Sequence, residues 1–75
     1  MQRSMEARTV FAEVLLDKLR ADSYPSTTQM NMLEELMPPQ LVPEYFQHLL
    51  ERIETDRFPS VSMMQRVQRI AEEML

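Results

Sequence analysis

Apolar residues recur at three-four spacing in four stretches of this chain, with proline, serine and acidic residues between them. In the first stretch Phe11, Leu15 and Leu19 share one stripe, with Ala12 and Leu16 beside it. That is the spacing of a buried helical face. It predicts a first helix over about residues 5–21, with Ser4 as its N-cap. Asp22 and Pro25 end it, because the residue before a proline avoids helical backbone angles. A second helix begins after Ser26, since Ser26-Thr27-Thr28-Gln29 fits the capping-box pattern. Met30, Leu33, Leu36 and Met37 form its apolar face, Glu34 and Glu35 point elsewhere, and Pro38-Pro39 stops it.

The third stretch is the most strongly patterned. Pro43 suits a first helical turn and Glu44 complements the positive end of the helix dipole. Tyr45, Phe46, Leu49, Leu50 and Ile53 then give a wide apolar face. A fourth helix starts at Ser60 or at Ser62, the second choice heading another capping box that ends at Gln65. Met63, Val67, Ile70 and Met74 form its stripe, widened by Met64 and Ala71. No alternating strand pattern and no hairpin turn pair occurs.

These stretches are two copies of one unit. Asp22-Ser23-Tyr24-Pro25-Ser26 returns 34 positions later as Asp56-Arg57-Phe58-Pro59-Ser60. Leu15 and Leu16 fall on Leu49 and Leu50, Met30 on Met64, Leu33 on Val67, and Leu36 on Ile70. The expectation is an all-α fold of two tandem helix–corner–helix units, closing as a small four-helix or orthogonal bundle. It is read as one domain over residues 1–75, with repeats at about 5–38 and 43–75. The predicted core is Phe11, Leu15, Leu19, Leu33, Leu36, Phe46, Leu49, Leu50, Ile53, Val67 and Ile70. Tyr24 and Phe58 are expected in equivalent places, each ring tucked beneath its corner near a hydrophobic-staple position. The period equals that of tetratricopeptide repeats, but their tryptophan, Leu-Gly pair and alanine-lined contacts are missing.

Composition narrows the chemistry. The chain has no glycine, which removes phosphate loops, dinucleotide fingerprints and nucleophile elbows. It has no cysteine and one histidine, which excludes disulfides and thiolate metal sites. His48 stands without a serine or acid at triad spacing and reads as a packed side chain. No catalytic, cofactor-binding or metal-binding residue is assigned, and no small-molecule substrate is evident. Net charge is −4, shared equally by the two halves about Pro38-Pro39. Mild acidity works against nonspecific nucleic-acid binding. Neither a signal peptide nor a membrane span is visible, so a cytoplasmic protein is expected.

Differences between the copies mark the partner-binding candidates. Met32 lies off its own apolar stripe and faces Arg66 in the repeat alignment; Glu35 faces Arg69. The face of the fourth helix that carries Arg66 and Arg69 reads first as a solvated face, and second as a contact meeting Glu34/Glu35 of another chain. The leading expectation for the chain is a non-enzymatic interaction module that self-associates as a homodimer. Its motivation is 44% hydrophobic content in 75 residues, more than so small an interior holds. The alternative is a helix-turn-helix-like DNA-binding regulator reading bases with Gln65, Arg66 and Arg69 of the fourth helix. Glu72 and Glu73, directly after, oppose it.

Overall fold

The computed structural model describes residues 2–22 and 26–75. The chain is all-α: α1 Gln2–Ala21, α2 Thr27–Leu36, a 3-10 turn Pro39–Leu41, α3 Val42–Thr55 and α4 Val61–Glu73. It divides into two compact units, Met1–Leu41 and Val42–Leu75. α1 packs on α2 in the first, and α3 packs on α4 in the second. Each unit is therefore one helical pair, as the repeat predicts.

Helix ends recur at the repeat offset. α1 ends at Ala21 and α3 at Thr55; α2 begins at Thr27 and α4 at Val61. Each second helix carries the same serine cap. Ser26 holds extended angles (φ −71°, ψ 135°) and its Oγ accepts the Gln29 N–H at 3.3 Å. Ser60 does the same (φ −70°, ψ 147°), accepting the Met63 N–H at 3.0 Å. In both cases one orphan amide of the first turn gains an acceptor. The Asp22 N–H donates to the Lys18 carbonyl and the Asp56 N–H to the Arg52 carbonyl, closing the preceding helices alike. Asp56 also lies 3.7 Å from Arg52, one turn back; half-exposed, this pair contributes little.

Ser60 rather than Ser62 is the cap of α4, so the second capping box is not used; the two hydroxyls lie 3.5 Å apart. Ser4 is likewise not a cap, because α1 already begins at Gln2. Here the apolar stripe marked the buried part of the helix and missed its first polar turn. α3 opens one residue ahead of Pro43. Met37, before Pro38, leaves helical angles (ψ 105°), so the prolines end α2 as expected. Among the described residues no backbone φ is positive. A chain without glycine thus turns its second corner, Asp56 to Ser60, without a left-handed residue.

The buried stripe of α1 is Ala12, Leu15, Leu16 and Leu19, and α2 contributes Met30 and Leu33. In the second unit Val42, Tyr45, His48, Leu49 and Ile70 are buried. Leu36, Phe46, Leu50, Ile53 and Val67, expected in the core, are half-buried. Phe11 is a correction, since it is 44% exposed. It shares the i, i+4 row of Leu15 and Leu19, but that row drifts round the helix. Phe11 ends up about 90° from the centre of the buried stripe.

Because the caps at Ser26 and Ser60 are the same interaction used twice, S26A and S60A should each lower unfolding free energy by about 1 kcal/mol. Urea titration measures both. The double variant should lose the sum, since the caps share no partner.

Candidate interaction surface

The four partner-binding candidates fall on two helices. Met32 and Glu35, three residues apart on α2, share a face and are both exposed. Met32 is the one large apolar side chain there, beside Thr28 and Asn31. A lone exposed methionine is ordinary surface. Arg69 on α4 is exposed, but Arg66 is half-buried, at the edge of the stripe that carries Ile70. Neither arginine is without a partner within the chain. Met32 and Glu35 belong to the first unit and Arg66 and Arg69 to the second. Gln65 is exposed on α4.

Larger apolar surfaces lie elsewhere. On α1, Val10 (56% exposed) and Val14 form a row on the side away from the buried stripe, with Phe11 on its flank. At the second corner Phe58 is 87% exposed, and Val61 and Met64 continue outward along α4. This corrects the expected tucked ring. With Ser60 as N-cap, the staple position is held by Pro59, which is half-buried. Phe58 stands one residue too early for it. The Arg57 guanidinium carbon lies 5.9 Å from the centre of the Phe58 ring, a cation–π distance. Tyr24 lies outside the described residues, so the expected equivalence has one observed member.

The repeat alignment could have found these rows. Val10 faces Glu44, Val14 faces His48 and Val61 faces Thr27, the same apolar-against-polar mismatch that selected Met32. Exposure differs too between copies: Phe11 is 44% exposed and Tyr45 fully buried, while Met30 is 3% exposed and Met64 41%.

One open cleft of about 270 Å³ lies in the first unit, where α1 passes the end of α2. Leu36, Met37, Pro38 and Pro39 line it with Thr9 and Gln40, and Arg8 is its one charged residue. It is smaller than most small-molecule sites. Among the described residues no group of three or more His, Cys, Asp or Glu is placed to hold a metal ion. No helix among them is long and apolar enough to cross a membrane. No family model matches the chain, and no curated protein or solved structure matches it.

The contrast between a buried and an exposed ring is directly measurable. Tyr45→Ala should cost about 3 kcal/mol or more of stability. Phe58→Ala, at the exposed corner, should stay within about 0.5 kcal/mol of wild type. Equilibrium denaturation of the two variants checks both values.

Proposed function

We propose that this chain is a non-enzymatic protein-interaction module that self-associates, acting in the cytoplasm. The observation that carries the reading is the amount of large apolar surface left in solvent. Val10, Phe11, Val14, Phe58, Val61 and Leu75 are each at least 44% exposed, and Met32, Met64 and Met74 lie near 40%. Single exposed apolar residues are normal, but rows of them mark docking surfaces. Helical pairs of this size bury one stripe each, and association with another molecule covers the rest.

A homodimer is the simplest assembly for such a chain, because most small oligomers close with two-fold symmetry. We assign it no catalytic role. The cleft beside Pro38-Pro39 has Arg8 as its single charged lining residue, so no acid–base pair meets there. The DNA-reading alternative through Gln65, Arg66 and Arg69 is weaker. Arg66 and Arg69 both have partners within the chain, and Glu72 and Glu73 occupy the last turn of the same helix.

Sedimentation velocity from micromolar to high micromolar concentration tests the reading. The weight-average mass should rise from monomer toward dimer across that range. A strict monomer throughout would exclude self-association and leave only a foreign partner for the exposed rows.

A further inference from the structure

Resting on the self-association reading, we propose that the dimer forms by reciprocal docking. The end of α4 in one copy enters the cleft between α1 and α2 of the other. The cleft offers a shelf made by Leu36, Met37, Pro38 and Pro39, with the exposed Arg8 beside it and no acidic side chain in its lining. Its occupant therefore needs aliphatic side chains adjacent to negative charge.

The end of α4 has that composition in that order. Glu72 and Glu73 close the helix, both exposed, and Met74 and Leu75 follow, 39% and 60% exposed. The last turn of α4 contains no basic residue, so two carboxylates sit at the negative end of the helix dipole. That arrangement is unfavourable by itself. A guanidinium arriving from another molecule relieves it, and Met74 and Leu75 are then placed to lie on the proline shelf. The other exposed apolar corner, at Phe58, carries Arg57. Against Arg8 it would bring like charges together.

Each surface also finds its counterpart in a second copy. Each chain holds one cleft in Met1–Leu41 and one α4 end in Val42–Leu75. Reciprocal exchange between two copies makes the same contact twice about a two-fold axis and leaves no unsatisfied cleft. The second contact forms within an already joined pair, so two weak contacts reinforce one another.

Charge reversal tests this contact. Arg8→Glu alone, and Glu72→Arg with Glu73→Arg in a second protein, should each raise the dimer dissociation constant by at least about tenfold. An equimolar mixture of the two proteins should restore dimer, because both contacts in the heterodimer are then of opposite charge. All three positions are exposed, and circular dichroism checks that each variant is folded. Should either reversal melt early, Arg8→Gln and Leu75→Ser read out the same contact, each weakening dimer several-fold. Wild-type dimerisation unaffected by these changes, or no recovery in the mixture, overturns the docking mode and leaves self-association standing. A wild type that stays monomeric overturns both.

Discussion

Each helical pair in this chain shares a single buried stripe, and the small width of that stripe governs the rest. On α1 it is four residues, Ala12, Leu15, Leu16 and Leu19, and on α2 two, Met30 and Leu33. A fully buried leucine contributes roughly 1.5–3 kcal/mol relative to an exposed one. So short a stripe leaves little margin over chain entropy. The unit therefore depends on well-made ends, and the serine caps and proline stops supply them. It also leaves apolar residues outside the stripe with nothing in their own pair to cover them.

The duplication separates what local sequence determines from what surroundings determine. Caps, corner closure and the helix ends flanking each corner repeat at the 34-residue offset, because each is fixed by a few neighbouring residues. Exposure repeats only in part. Phe11 is open where Tyr45 is closed, Val14 is open where His48 is buried, and Met30 is buried where Met64 is open. Units with matching corners and caps thus present different surfaces.

The same division explains how much was legible in the residues. Ser26 and Pro38-Pro39 could be read directly, since capping and proline stereochemistry act within a turn. The capping-box pattern favoured Ser62 and the repeat alignment favoured Ser60, and the backbone chose Ser60. Phe11 was misread because spacing along one row ignores its drift around the helix. Phe58 was misread because a staple residue directly precedes its cap, and Phe58 stands two residues before Ser60. Repeat mismatch also marks exposed residues that the four candidates left out. Those candidates include Met32, isolated on a polar face, and omit Val10, Val14 and Val61, where exposed apolar residues gather in rows. The cleft beside Arg8 joins residues from α1 with the end of α2, so no local pattern announces it.

If apolar surface outside the stripes is covered by a second copy, association and folding are linked, and stability must depend on protein concentration. Thermal unfolding followed at concentrations spanning about two orders of magnitude measures this link directly. The midpoint is expected to climb steadily as concentration rises. A midpoint that stays fixed, with reversible unfolding at every concentration, contradicts the account.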